Sequence, residues 1–231
     1  MAADCTFTTA IERPDPADVA AAAGLPVATV SDILGWDCLM APRLRPLSRE
    51  MRLCGPAVTL KLGVGDNLMM HKAMQVAQAG DVLVVDQEAS TTHAPFGGIM
   101  ATAAQAKGLG GLVIDGSVRD AAEIREMGFP VYCVGLSPRQ AGKNGPGHVN
   151  VPVSCGGARV APGDLVIGDE DGVCVIPRAR IAEVTAAVRE RMAAEERRKD
   201  AIARGDLYPG WLDERLAEVG VADTGGRPET A

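Results

Sequence analysis

Short apolar runs punctuated by glycine and proline recur along the chain, at residues 57–62, 82–85, 112–114, 131–134, 149–153, 165–167 and 173–176. Runs this short predict buried strands. Residues 68–78, 99–107 and 121–127 instead repeat their apolar positions at helical spacing. The order is therefore βαβαβαβ, then strands joined through turns alone, with turn signals at Pro162-Gly163-Asp164 and Asp171-Gly172. That order predicts an α/β fold of parallel βαβ units continued by hairpins in layers, not a purely doubly wound sheet.

The flanks read as helix. Residues 14–35 form a helical lead-in, with the alanine run 20–23 favouring helix and Pro26 opening a second segment. Residues 178–204 predict one long helix after Pro177, with Ile181, Val184, Val188 and Met192 on one stripe. Continued by sevens from Ile181 and Val188, that face reaches Glu195 and Ile202. A carboxylate inside an apolar row either ends in solvent or meets a cation across an interface. Beyond Gly205, residues 207–219 with Trp211, Leu212 and Leu216 suggest a docking arm, and the last residues are expected to be disordered. The organisation expected is a single domain over 1–231: lead-in 1–50, α/β core 51–177, helix and tail 178–231.

Composition narrows the function. The 231 residues are 47% hydrophobic, enough for a sizeable core. A net charge of −7, with only two Trp, two Tyr and three Phe, argues against nucleic-acid binding. An acidic surface is repelled by anionic lipid, and no apolar run approaches the roughly 18 residues of a membrane span. Residues 1–16 carry Asp4, Glu12 and Asp15 and no apolar signal core, so a cytoplasmic protein is expected. Six cysteines without a CxxC pair read as small buried hydrophobes. The glycine-rich stretches at 63–68, 108–113 and 145–150 lack the third glycine of a dinucleotide loop, and no phosphate-loop motif occurs.

Residues 110–120 are the most informative. A buried strand is expected to end at Asp115, a turn to pass through Gly116 and Ser117, and a helix to begin near Ala121. Arg119 and Asp120 then stand at the carboxyl end of a strand, where ligand crevices form in α/β sheets. Asp120 could hold a hard divalent cation while Arg119 meets an anionic oxygen. Equally, Asp120-Ala-Ala-Glu123 matches a capping box, in which Asp120 is only an N-cap. The Gly97-Gly98 pair precedes a helix of small residues; its amides make either an anion site or simply a tight turn. His71, His93 and His148 have no partner at ligand spacing and read as structural or exposed. Asp169-Glu170-Asp171 reads as a solvated turn rather than a metal site.

Several of these segments occur together in one order: Gly65-Asp66-Asn67, the 80–86 strand, Gly97-Gly98 with residues 101–104, and Ile114-Asp-Gly-Ser-Val-Arg-Asp120. Gly145-Pro146-Gly147, residues 150–153, 162–164 and 168–173 follow. The set resembles the 4-hydroxy-4-methyl-2-oxoglutarate / 4-carboxy-4-hydroxy-2-oxoadipate aldolases, relatives of the regulator of ribonuclease E activity. The resemblance implies a β/β/α phosphohistidine-swivelling-like fold in homotrimers or hexamers with inter-subunit sites. It further implies a divalent-metal pyruvate aldolase acting on small oxo-acids. In that pattern Asp120 ligates Mg²⁺ or Mn²⁺ and Arg119 contacts the 2-keto oxygen. The backbone amides of Gly97, Gly98, Ile99 and Met100 receive the pyruvyl carboxylate. A glutamate from the neighbouring subunit's terminal helix, Glu195 rather than Glu196, completes the site. Gly98 departs from the pattern, which often has an acidic residue there serving the metal's water shell.

Oxaloacetate decarboxylation is implied as a side activity. The competing functions are a non-catalytic regulator acting by protein binding and a dedicated oxaloacetate decarboxylase. Arg139 and Lys143 are candidates for a second substrate carboxylate, or else simply solvated.

Overall fold

The apolar runs pair in the order their alternation with helices implies. A computed structural model describes residues 5–221. The lead-in comprises β1 (Cys5–Phe7), α1 (Pro16–Ala22), α2 (Val27–Leu34) and β2 (Arg45–Pro46). The core follows as β3 (Leu53–Leu62), α3 (Leu68–Val76), β4 (Val82–Ser90), α4 (Gly98–Ala106), β5 (Gly111–Val118), α5 (Ala121–Met127) and β6 (Val131–Leu136). The β-rich end is β7 (Gly147–Val149), β8 (Val153–Cys155), β9 (Ala158–Val160), β10 (Leu165–Gly168) and β11 (Val173–Ile176), before α6 (Ile181–Ala203) and α7 (Leu212–Glu218).

The sheet runs β1-β7-β3-β4-β5-β6-β2. Its centre, β3 to β6, is parallel, as crossover helices require. The first half of β3 pairs antiparallel with β10 and the second half parallel with β4. One strand thus serves two layers, changing partner between Pro56 and Ala57; at Gly55, just before, a Cβ would overlap the Gly80 carbonyl. One face of the sheet packs under α3, α4 and α5 through residues such as Leu83, Val85, Ile114 and Ile124. The other face packs Val84, Val113 and Tyr132 against β8, β9 and β11. Burying each such aliphatic side chain contributes about 1.5–3 kcal/mol.

Two expectations need correction. The turn expected through Gly116 and Ser117 is strand, since β5 continues to Val118. Gly116 is there for packing: a Cβ would overlap the amide of Gln87, which is fully buried. The single run 149–153 is two strands, split where Asn150 adopts a left-handed φ of 59° and Pro152 removes a ladder donor.

The chain divides into two compact units, Met1–Arg189 and Glu190–Ala231. In the first, α6 buries Ile181, Val184, Thr185 and Val188. In the second, Glu195 is half-buried and pairs with Arg191 at 3.1 Å, while Ile202 is exposed. In the expected docking arm, Leu212 and Leu216 of α7 are partly buried and Trp211 is 62% exposed. The disorder expected at the chain's end concerns residues outside those described. Four of the six cysteines are buried and all are free, and desolvation lifts Cys54 and Cys133 to about 11. Among the described residues, no single helix is long and apolar enough to cross a membrane.

Candidate active site

Three loops meet where β4, β5 and β6 end. Val118 at the tip of β5 is bridged to Phe96, and the Arg119 N–H donates to the Phe96 carbonyl at 3.1 Å. On the other side the Ser137 N–H donates to the Val118 carbonyl at 3.0 Å. The segment 94–97, the Arg119-Asp120 pair and the loop after β6 therefore form one extended edge, with side chains projecting beyond the sheet.

Asp120 does not follow the capping-box reading its sequence allowed. It occupies the N-cap position of α5, yet its side chain makes no capping bond. The residue sits at φ 56°, ψ 36°, a left-handed conformation unusual outside glycine. That twist swings the carboxylate off its own helix, and Oδ2 instead accepts the Gly98 N–H at 3.0 Å. Arg119 Nε lies 3.5 Å from the same oxygen. Local strain of this kind costs about 1–3 kcal/mol and persists where surrounding structure enforces it.

Gly97 and Gly98 are glycines because three side chains at the start of α5 press on them. A Cβ at Gly97 would meet Asp120 Oδ2 at 2.6 Å and Arg119 Cγ at 2.8 Å. A Cβ at Gly98 would overlap the Glu123 carboxylate, which reaches across from the first turn of α5. Gly98 is also the first residue of α4 and Gly97 its N-cap. Its N–H is committed to Asp120, so Ile99 and Met100 supply the first-turn amides that a helix leaves without carbonyl partners.

A cleft of about 230 Å³ opens before those amides, lined by Asn67, His71, Phe96, Gly97, Arg119 and Lys143 among others. Lys143 is held over it by a clamp: Asp66, buried, accepts the N–H groups of Leu68 at 2.8 Å and Asn144 at 2.5 Å. The Asn67 N–H donates to the Gly142 carbonyl at 2.9 Å. Asn67 Oδ1 is buried in the cleft wall without a partner among the described residues. A second cleft of about 350 Å³, on the other side of Arg119, is lined by Asp120, Ala121 and Ser137. Arg119 is the ridge between them.

Gly97, Ile99, Met100 and Arg119 line the first cleft together with Lys143, one of the two candidates for a second substrate carboxylate; Arg119 and Asp120 line the second, and Gly98 joins them through its N–H to Asp120. Arg139 does not line either cleft; its carbonyl accepts the Ala94 N–H. His71, read as structural or exposed, lines the first cleft, one helical turn beyond Asn67. That i, i+4 spacing was the available signal. Asp115, which borders the site in sequence, is a buried structural anchor, accepting from Arg43 Nε at 3.0 Å and from Nη2 at 2.7 Å. The acidic turn is likewise structural: Asp169 accepts the Val27 N–H at the start of α2.

A layered α/β core with a polar site on the ends of its parallel strands, built on an Arg-Asp pair and a glycine-opened helix, defines the class. The chain belongs to the RraA-like family, described as Aldolase/RraA, whose model matches residues 27–175. It is 37% identical over 179 residues to a Halalkalibacterium halodurans protein named "Putative 4-hydroxy-4-methyl-2-oxoglutarate aldolase", covering 78% of this chain and 85% of that one. A Burkholderia multivorans protein of the same name is 42% identical over 137 residues, 59% of this chain and 83% of its own. Among solved structures, Streptomyces coelicolor RraAS2, described as an unusual member of the RNase ES inhibitor RraA family, superposes with a TM-score of 0.73 at 30% identity. It covers 82% of this chain and 99% of that one. The RNA-processing inhibitor RraA from Thermus thermophilis gives 0.61 at 32% identity, over 66% and 92%.

Proposed function

We propose that the chain is a divalent-metal-dependent lyase cleaving 4-hydroxy-4-methyl-2-oxoglutarate or 4-carboxy-4-hydroxy-2-oxoadipate to pyruvate plus pyruvate or oxaloacetate. The observation that carries this is the Asp120 carboxylate, turned from its own helix and set beside Arg119 at the edge of a cleft. The names of the relatives support the same reading.

The donor set fits Mg²⁺ or Mn²⁺. Asp120 Oδ1 has no partner among the described residues, while Oδ2 is fixed by an amide. No three His, Cys, Asp or Glu side chains converge among the described residues. One oriented carboxylate suits a hard cation that keeps most of its waters, not a four-ligand cage. When bound, such a cation supplies positive charge close to the departing pyruvyl group.

The chain's own groups do the rest. The Ile99 and Met100 amides hold the pyruvyl carboxylate at the positive end of α4. The Arg119 guanidinium donates to the 2-keto oxygen, where negative charge grows as the C3–C4 bond breaks. Lys143 meets the distal carboxylate across the cleft. A water held by Glu195 of a neighbouring copy takes the proton from the C4 hydroxyl; as the C3–C4 bond breaks, the C4 oxygen becomes the carbonyl of the departing 2-oxo acid, and that proton is returned to C3 of the enolate to give pyruvate. Oxaloacetate loses CO₂ through the same stabilised enolate.

Exchange of pyruvate methyl protons in D₂O, followed by proton NMR, tests the reading with either metal. Exchange that EDTA abolishes and Arg119→Met slows by about 10²–10³ is expected. No exchange, or exchange indifferent to both changes, overturns it.

A further inference from the structure

We propose that Glu123 is a second carboxylate serving the cation bound at Asp120, acting through the cation's water shell from the Gly98 side. This rests on the metal site proposed above and extends it to a residue that the Arg-Asp pair does not include.

Three observations converge. The Glu123 carboxylate occupies the space that a side chain at position 98 would enter. Asp120 Oδ2 occupies the corresponding space at position 97. Two carboxylates therefore lie against adjacent glycines at the start of one helix, with the Gly98 N–H already spent on Asp120. Second, Glu123 stands three residues into a capping-box pattern, but the box is not made: Asp120, its would-be partner, points away from α5. Freed from that local role, Glu123 reaches across to α4. Third, Asp120 has Arg119 at 3.5 Å, whereas Glu123 has no hydrogen-bond or ion-pair partner among the described residues. An acidic group held beside a second one, with no cation of its own, raises the local negative potential and favours a divalent ion. Its exposure and its place one helical turn beyond Asp120 suit a contact to bound water rather than direct ligation.

The test is Mn²⁺ binding, measured by electron paramagnetic resonance and calorimetry on the full chain without substrate. Glu123→Gln, which keeps shape and removes charge, is expected to weaken binding about 10-fold and alter the Mn²⁺ spectrum, with melting temperature unchanged. The double variant Gly98→Asp/Glu123→Ala puts a carboxylate back into the same space from the other helix, and is expected to recover most of the affinity. A purely structural glutamate would not be rescued in this way. If Asp120→Asn abolishes Mn²⁺ binding while Glu123→Gln leaves affinity and spectrum unaltered, the role of Glu123 is overturned and the site at Asp120 stands. If the unmodified chain binds no Mn²⁺, both fall.

Discussion

Asp120 carries two demands, a left-handed backbone and a charged oxygen, and substitutions separate them. Asparagine tolerates φ 56° and still offers an oxygen to the Gly98 N–H, so Asp120→Asn is expected to melt like the parent. Its pyruvate exchange is expected to fall at least about 100-fold, because only the charge is gone. Asp120→Ala loses the amide partner as well and forces alanine into a conformation costing about 1–2 kcal/mol. It should therefore lose both activity and melting temperature, and thermal unfolding of the two variants side by side checks the separation. Sequence alone left this residue undecided for a physical reason: a capping box and a ligand aspartate share the same local pattern. What removes the capping reading is one dihedral angle and a partner 22 positions away, Gly98.

At the scale of elements, α4 and α5 approach so closely that their first turns share space. Gly97 has an extended backbone, so Gly97→Ala meets no conformational penalty; its cost is the collision with Asp120 and Arg119. The variant is expected to lose exchange activity by more than about 10-fold while its melting temperature moves little, since both colliding side chains are partly exposed. The βαβ alternation that positions these helices was legible because buried parallel strands and amphipathic helices have different periods. The continuation of β5 through Gly116 and Ser117 was not, because those residues read locally as a turn and only the buried Gln87 explains the glycine. The approach of Lys143 to Asn67 and His71 was equally hidden, being set by the clamp around Asp66 rather than by spacing. The strand pair also stores a titration. Asp86 and Asp115 face each other on β4 and β5, and burial is the main cause holding the Asp86 carboxyl above its ordinary value. The native state then keeps that proton to higher pH than the unfolded chain does, so its ionisation removes stability as pH rises through the interval. Asp86→Asn preserves the acceptor for the Glu88 N–H. It is expected to raise the melting temperature at pH 8 and lose that advantage at pH 3, as calorimetry across pH would record.

On the scale of the whole molecule, the proposed function takes its base from Glu195 of a neighbouring copy. Among the residues lining either cleft, none is a glutamate. The stripe of α6 meanwhile leads from buried Val188 to Glu195, which pairs with Arg191 one turn back, and then to exposed Ile202. The proposed function sets that carboxylate against a surface outside its own chain. If that surface is a second copy, each site is composite and two defective chains can repair one another. Arg119→Met and Glu195→Gln should each be nearly inactive alone. Unfolded together in equal amounts and refolded, random assembly places an intact Arg119 opposite an intact Glu195 in about one quarter of the sites. Activity near that fraction of the parent's is expected, rising from almost nothing as the mixture approaches equal proportions and falling again beyond. Recovery that stays at the sum of the two single variants at every ratio places the whole site within one chain. It would then leave Glu195 to its ion pair with Arg191.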